Sequence, residues 1–338
     1  MKMKIKYINN KKTWEDFVLN HPQVNFLQSF AWGEFHRQLG KQIFRYGFYE
    51  KNRLIGVALL IKEKARRGTY LTCPGGPLLD AEANIWLEFV KLIKKISHQE
   101  KALFIRVRPQ FLDKIKWRLM FSQSGFINAP MHMHAETTWQ LDLNQSQEEI
   151  FKNMRKNTRS AIKKSLKNQL KIKITKDIKA IDRLYDLQIK TAQRHGFVPF
   201  SKKFLKTQFK SFSVNNQAKI IEVYQKKDLV CSAIFIFYGQ EAVYHYSGSA
   251  QLAYQTNASY LLLWTAIKEA KKQKLSKFNF WGVVPRYEPK HRFWGVTVFK
   301  RGFGGFPINY LHAQDLPIKT RYWLVWLIET TRRVYRHL

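Results

Sequence analysis

Short apolar runs separated by charged breaks recur along this chain with a long period. The run Tyr49-Glu-Lys51-Asn-Arg-Leu54-Ile55-Gly-Val-Ala58-Leu59 has an ungapped counterpart 175 residues later, Tyr224-Gln-Lys226-Lys-Asp-Leu229-Val230-Cys-Ser-Ala233-Ile234. Each copy reads as strand, tight polar turn, strand. Downstream, helical periodicity over 85–96 leads into an apolar strand at 103–107 and then Pro109. The same order returns at 260–272, 277–281 and Pro285, 176 residues on. Two copies of one α/β (α+β) unit predict two domains with a cleft between them, and clefts at domain interfaces are where ligands bind.

Around the repeat, residues 15–20 and 32–39 predict helices, 44–49 and 54–62 a hairpin, and Cys73-Pro-Gly-Gly-Pro77 a turn. One long helical stretch is expected from 146 to 167, opened by a capping box, Ser146-Gln-Glu-Glu149, ahead of Ile150 and Phe151. A further helix is expected over 181–194, with strands at 219–224, 229–237 and 242–247. No low-complexity linker separates the halves. The expected domains are 1–144 together with 314–338, whose C-terminal helix packs back on the first domain, and 145–313. The apolar run 322–328 is flanked by Lys319 and Arg321 before it and Arg332, Arg333 and Arg336 after it. It has two expected fates, packing on the protein or resting at a membrane interface, where Trp and Arg are favoured.

Charge changes the picture. Fifty-nine Lys and Arg stand against 24 Asp and Glu, a formal net charge of +35. That excess favours polyanionic partners: nucleic acid, an anionic lipid surface or phosphorylated substrates. Segment 152–173 holds nine Lys or Arg and no acid. Within it Arg155, Arg159 and Lys163 fall at four-residue steps, one face of a helix, an arrangement that tracks a phosphate backbone. The other reading is a solvated face with uncompensated repulsion. Cys73 and Cys231 are the only cysteines, which excludes a disulfide scaffold and fits a reducing cytoplasm. No Cys/His spacing resembles a zinc site. The basic N-terminus runs into polar Asn and Lys, so no signal peptide is expected, and no apolar run is long enough to span a bilayer.

Serine-nucleophile and phosphate-loop patterns are absent; Arg301-Gly-Phe-Gly304-Gly305 lacks the Lys-Ser/Thr of an ATP-binding loop. The helix–strand–hairpin unit points to an acyltransferase of the acetyl-CoA-dependent kind. The matching pyrophosphate loop is met only partly by Arg37-Gln-Leu-Gly40-Lys-Gln42, which precedes the hairpin, so CoA is not expected as cofactor.

An ordered set of motifs carries a resemblance across nearly the whole chain. It comprises Phe26-Leu-Gln28-Ser29 followed by Trp32; Tyr70-Leu-Thr-Cys-Pro-Gly-Gly76-Pro77-Leu-Leu-Asp80; and Phe104-Ile-Arg106-Val-Arg-Pro109. Then come Thr137-Thr138-Trp-Gln-Leu141-Asp142-Leu143, Met154-Arg-Lys-Asn-Thr158-Arg159-Ser-Ala-Ile162 and Arg194-His195-Gly196-Phe197. The last are Tyr246-Ser-Gly248-Ser249, Ala258-Ser-Tyr260-Leu-Leu-Leu-Trp264-Thr-Ala-Ile267, Phe280-Trp-Gly282-Val283 and Phe299-Lys300-Arg-Gly-Phe303-Gly304-Gly305. The chain resembles the Fem-type aminoacyltransferases (FemA/FemB/FemX) that build peptidoglycan cross-bridges.

The resemblance implies two tandem acetyltransferase-like (GNAT-like) domains and an aminoacyl-tRNA donor. The acceptor would be a stem-peptide amine of a peptidoglycan precursor, lipid-linked or nucleotide-linked. Longer members carry a coiled-coil arm; only 201–218 separates the Arg194 helix from the next strand here, so the chain matches the compact FemX type. The implied product is an interpeptide bridge of a small amino acid (glycine, alanine or serine). Transfer to a protein N-terminus or a lipid head group, and a non-catalytic RNA- or membrane-surface-binding role, are the rival readings. The expected location is cytoplasmic, with peripheral association at the inner face of the membrane as a further expectation.

Lys300, beside Phe299 at what reads as an apolar strand end, matches the motif lysine and is expected near the developing oxyanion or the tRNA 3′ terminus. Arg194 matches the position expected to bind the acceptor's diphosphate; a helix C-terminal cation is its bland alternative. Tyr246 and Tyr70 are candidate acceptor contacts or core tyrosines. The acceptor-phosphate lysine of compact members falls at His36, with Arg37 beside it. Arg108 stands where members often carry an acid, which excludes a carboxylate base there and leaves Asp80 as a weak candidate. Arg155, Arg159 and Lys163 are the expected tRNA contacts.

Overall fold

The computed structural model describes residues 3–80 and 83–335. The chain divides into two compact units, residues 1–136 with 309–338 and residues 137–308. The changeovers lie eight residues before the expected 144/145 boundary (144 − 136) and five before the expected 313/314 boundary (313 − 308).

The first unit runs β1 (Lys4–Tyr7), α1 (Lys11–Asn20), α2 (Phe30–Gln38), β2 (Ile43–Glu50), β3 (Arg53–Ala65), β4 (Gly68–Pro74), β5 (Leu78–Leu79), α3 (Ala83–Gln99), β6 (Phe104–Arg108), α4 (Ile115–Gln123) and β7 (Ile127–Asn128). The second unit follows with β8 (Thr137–Asp142), α5 (Gln147–Asn153), α6 (Lys156–Lys167), β9 (Leu170–Thr175), α7 (Ala180–His195), α8 (Lys202–Ser213) and β10 (Ala218–Gln225). It continues through β11 (Asp228–Tyr238), β12 (Glu241–Ser249), α9 (Leu252–Thr256), α10 (Ala258–Lys272), β13 (Lys277–Gly282), α11 (Trp294–Arg301) and β14 (Phe306–Asn309). β15 (Gln314–Pro317) and α12 (Tyr322–Tyr335) return to the first unit.

The two sheets have the same plan. The first orders its strands β1-β2-β3-β4-β6-β15-β7, with β5 on β3; the second, read from its far edge, β9-β10-β11-β12-β13-β8-β14. Each carries one parallel pair, β4 with β6 and β12 with β13, inside otherwise antiparallel neighbours. The repeated hairpins even share a defect: a bulge at Ile55 of β3, opposite Phe48/Tyr49, and at Val230 of β11, opposite Val223/Tyr224. Their tight turns use left-handed residues, Lys51 and Asn52 in one, Lys226 in the other. The strand beside β13 is β8, which the sequence reading had placed in the first domain; its pairing with β13 puts it in the second sheet.

Amphipathic periodicity places the cores. α3 buries Ile85, Trp86, Phe89, Val90, Ile93 and Ile96 against the first sheet, together with Phe48, Leu60 and Val107. α10 buries Leu261, Leu262, Leu263, Ala266 and Ile267 against Phe235, Phe278 and Phe280 of the second. In the first unit Gln28, fully buried, donates to Pro74 O at 2.7 Å and accepts from Leu59 N at 2.9 Å, while Asn25 Nδ2 donates to Gly75 O at 2.9 Å. The first two sequence motifs therefore hold each other, and a Cβ on Gly76 would fall 2.5 Å from Gln28 Nε2.

The expected single helix over 146–167 is two. The capping box forms, with Ser146 Oγ accepting from Glu149 N at 3.1 Å and Glu149 Oε2 accepting from Ser146 N at 2.8 Å. The helix then stops at Asn153, and Met154 turns extended and buries its side chain. Arg159 locks the break: its Nη1 donates to Lys152 O at 2.8 Å and also to Met154 O. A run of cations in one helix repels itself; the break moves Lys152 and Arg155 off the face of α6 and uses one cation to satisfy the orphan carbonyls of α5.

Candidate active site

The second unit has one feature the first lacks. Its parallel ladder covers only Glu241↔Lys277, Ala242↔Phe278 and Val243↔Asn279, although β12 runs on to Ser249 and β13 to Gly282. Beyond Val243 and Asn279 the strands part, leaving Tyr244 and Tyr246 on one side and Phe280 to Gly282 on the other. In the first unit the β4/β6 ladder reaches Pro74↔Arg108, the last residues of both strands. Arg108, 1% exposed, fills that end, with Nη2 donating to Ala135 O and its guanidinium 4.7 Å from the Tyr310 ring centroid.

α11 closes the opening of the second unit. Three residues on one face of it grip the chain leaving β13. Lys300 Nζ donates to Gly282 O at 2.6 Å, Thr297 Oγ1 accepts from Val284 N at 2.9 Å, and Arg301 Nη2 donates to Val284 O at 3.0 Å. Arg301 also lies between Trp139 and Trp294, 5.2 and 5.5 Å from their ring centroids. Lys300 is 7% exposed, and its amine lies 5.8 Å from the Tyr244 ring centroid. Burial pushes that amine down from 10.5 to about 7. Lys300 thus sits in the last turn of a helix, not at the strand end expected from its apolar neighbours, and the carbonyl end of that helix favours its cationic form.

The glycines after Lys300 are steric requirements. Gly305 has φ +89°, and a Cβ there would lie 2.1 Å from Gln140 O. A Cβ on Gly302 would lie 2.4 Å from Thr158 Oγ1. Phe299, expected beside the chemistry, packs instead into the second core, its ring 4.9 Å from Tyr260 and 5.5 Å from Phe303.

The far end of β12 carries Arg194. Its Nη2 donates to Ser249 O, and Thr191 Oγ1 one turn earlier accepts from Ser249 N at 3.0 Å. The guanidinium remains exposed at the end of α7, where Gly196 caps in the left-handed region with φ 65°. Tyr246 lies between these points, 4.0 Å from the His245 ring and 5.4 Å from Phe200, and burial raises its phenol. The half of β12 that β13 leaves, still paired with β11 on its other side, therefore runs from Tyr244 near Lys300, past Tyr246, to Ser249 under Arg194. His245, which the sequence reading passed over, has Nε2 3.0 Å from Gln208 Nε2, and burial lowers it to about 3, so it is neutral.

The remaining candidates lie in the first unit or on the surface. His36 is 7% exposed, packed 5.1 Å from Trp32 and 4.6 Å from Phe35, and burial lowers it to about 3. A buried neutral imidazole brings no positive charge to a phosphate. Arg37 is exposed and paired with Glu34. Tyr70 stacks on Phe104 at 4.8 Å beside Tyr322 and Trp326, and burial raises it to about 12; it is a core tyrosine under α12. Asp80 is exposed, its N–H bonded to Ile55 O at 3.0 Å. Of the expected tRNA contacts, Arg155 and Lys163 are exposed, whereas the Arg159 guanidinium is committed to the α5 carbonyls. Arg155 caps α6 rather than riding on its face.

α12 divides its apolar residues between two faces. Tyr322 and Val325 are buried, while Trp323, Leu324, Leu327 and Ile328 are 40–61% exposed. The one acid on this helix, Glu329, faces inward and accepts from Arg106 Nη2 at 2.8 Å, next to the Arg106–Asp315 pair at 2.7 Å. Arg336, counted among the flanking cations, lies outside the described residues.

The FemAB family model matches residues 10–117 and 205–330. A lipid II:glycine glycyltransferase of Staphylococcus haemolyticus (strain JCSC1435) is 25% identical over 219 residues, covering 61% of this chain and 52% of that protein. The chain thus spans about half the length of this relative. Among solved structures, the crystal structure of FemX superposes with TM-score 0.84 at 16% identity, covering 96% of this chain and 100% of that one. A tandem GNAT protein from the clavulanic acid biosynthesis pathway superposes with TM-score 0.59 at 9% identity over 94% of this chain and 99% of that one. Both establish the fold, two GNAT-like units in tandem.

Proposed function

Because the chain belongs to the FemAB family, we propose that it is an aminoacyltransferase of cell-wall synthesis. It takes a small amino acid, glycine foremost, from aminoacyl-tRNA and places it on a stem-peptide amine of a peptidoglycan precursor. The observation that carries this reading is the buried Lys300 amine, held on Gly282 O where the parallel strands β12 and β13 part. In GNAT-like architecture that opening is where an acyl group and an attacking amine can meet.

The acceptor nitrogen attacks the ester carbonyl, a C–N bond forms, and the C–O bond to the tRNA ribose breaks. The ribose oxygen leaves with a proton that began on the amine. Negative charge gathers on the carbonyl oxygen in between. An ammonium of Lys300 in a water-poor site stabilises that charge far more than the same group in water would. An amine near 7 is about half protonated at neutral pH, and the oxyanion itself draws it back to the charged form. Arg194 and Tyr246 border the same stretch of β12 and suit the acceptor's diphosphate and muramyl portion. The exposed cations Lys156, Lys163, Lys164 and Lys167 of α6, with Lys171 and Lys173 on the edge strand β9, suit tRNA phosphates.

Among the described residues no helix is long and apolar enough to cross a membrane. The exposed apolar face of α12, bordered by Arg321, Arg332 and Arg333, supports peripheral contact with an anionic lipid surface, and with it a lipid-linked acceptor. The reaction is tested by offering radiolabelled aminoacyl-tRNAs with either lipid-linked or nucleotide-linked muramyl-pentapeptide. Label on one precursor establishes donor, amino acid and acceptor together. Transfer from free amino acid and ATP without tRNA, or label appearing only on phospholipid, overturns the reading.

A further inference from the structure

The Lys300–Gly282 bond depends on an irregular piece of backbone. Between Asn279 and Gly282, β13 holds one residue more than β8 opposite it: Asn279 pairs with Gln140 and Gly282 with Thr138. That bulge places Trp281 in the left-handed region, φ 65°, where a bulky side chain is strained. Left-handed backbone at such a residue persists only where its surroundings over-determine it.

Asn279 provides that constraint. It is 2% exposed and is the last residue of β13 paired with β12. Its Oδ1 accepts from Trp281 N at 2.8 Å, a bond that closes the chain over two residues. Its Nδ2 donates to Glu241 Oε1 at 3.0 Å, which fixes the carboxamide against the start of β12. One residue beyond Trp281, the Gly282 carbonyl receives Lys300. A regular strand would have one residue fewer here, and the Gly282 carbonyl, lying in the plane of the sheet, would then point to the opposite flank of β13.

We infer that Asn279 is a positioning residue for Lys300: its carboxamide, held by Glu241, keeps Trp281 in the bulge and so aims the Gly282 carbonyl at the lysine amine. The Asn279 carboxamide is bonded to Glu241 and to the Trp281 N–H, and acts through backbone. The inference rests on Lys300 taking part in transfer as proposed above. Facing Lys300 from β12 is the Tyr244 ring, 5.8 Å from the amine, and the Arg301 guanidinium on its own helix donates to Val284 O.

The test measures Lys300 itself as well as activity. The pH dependence of trace acetylation of Lys300, read by mass spectrometry, reports its titration whether or not the protein transfers anything. Asn279→Leu keeps the side-chain shape and removes both hydrogen bonds. Its Lys300 titration is expected to move to lower pH, because the amine loses the carbonyl that favours its charge. With an active acceptor, kcat is expected to fall roughly ten- to hundredfold, the scale of displacing a positioned group by about 1 Å, with KM within about twofold. Asn279→Asp keeps the acceptor for Trp281 N–H but sets a carboxylate against Glu241. Adding Glu241→Gln restores a donor–acceptor pair with the polarity reversed, and the double variant is expected to recover the wild-type titration. Unchanged Lys300 titration in a folded Asn279→Leu, or a double variant no better than Asn279→Asp, overturns the inference. A shifted titration in a protein whose wild type shows no transfer overturns the proposed reaction and leaves the positioning intact.

Discussion

Replacing Lys300 by methionine should make the protein more stable at neutral pH and abolish transfer. In the fold, burial lowers the amine from 10.5 to about 7. That corresponds to about 5 kcal/mol of unfavourable differential interaction for the ammonium. At pH 7 the unfolded chain carries Lys300 protonated, while the folded chain holds it about half protonated. Folding therefore forfeits roughly 4 kcal/mol at pH 7, a penalty that shrinks as pH rises and vanishes above 10.5. Methionine keeps the linear shape and removes the charge, but it strands the Gly282 carbonyl, at about 1–3 kcal/mol. The balance leaves roughly 2 kcal/mol in favour of the variant at pH 7, reversing near pH 9. Urea denaturation of both proteins at pH 7, 8.5 and 10, read beside the transfer assay, measures this. A variant less stable than wild type at pH 7, or a difference that does not change with pH, refutes the buried charge. A variant that still transfers refutes its role.

Three further outcomes are expected. His312 has both ring nitrogens at 2.7 Å from acceptors, Glu136 Oε2 and Ala129 O, and the Glu136 carboxylate raises it despite burial. Its contribution is complete below pH 6.5 and lost as pH rises through the raised folded value, so His312→Gln should lose most stability at pH 6 and least at pH 9, measured by denaturant midpoints. Gly305→Ala meets Gln140 O at 2.1 Å on a φ of +89°, and should cost about 3 kcal/mol or more of stability, seen as a large drop in melting temperature; a drop under about 2 °C contradicts the close approach. Changing Lys163 and Lys164 together to Gln should reduce the salt dependence of tRNA binding by roughly 1.5 in log–log slope, measured by filter binding between 50 and 200 mM salt, and an unchanged slope removes α6 from the docking surface.

Much of the architecture could be read from the chain. The repeated hairpin, the amphipathic α3 and α10, and the capping box at Ser146 are local patterns, and local patterns report on local structure. The duplication appeared because two sheets of one plan demand the same order of apolar and polar positions. Lys300 and Arg194 were singled out through a family's motifs rather than through physics. The surroundings of His36 and Tyr70 were not legible because a motif gives a position but no environment: both are packed among aromatic rings. The break at Met154 was missed because the polar pattern across 146–167 is compatible with one helix, and only Arg159 folding back on the carbonyls favours two.

What the sequence determined by itself is what depends on neighbours along the chain: strand and helix types, turns with left-handed residues, caps, and the net charge. What only the tertiary structure decided depends on residues far apart. β15, contributed from the end of the chain, completes the first sheet beside β6, and β8 completes the second beside β13. The ladder between β12 and β13 ends after three pairs, and a lysine from a helix 18 residues on reaches the carbonyl at the opening. The Lys300 side chain is identical in its bonds to the 39 other lysine side chains of the chain (40 − 1). Its lowered affinity for a proton comes from burial, and burial is a property of the packed fold, not of the order of residues around it.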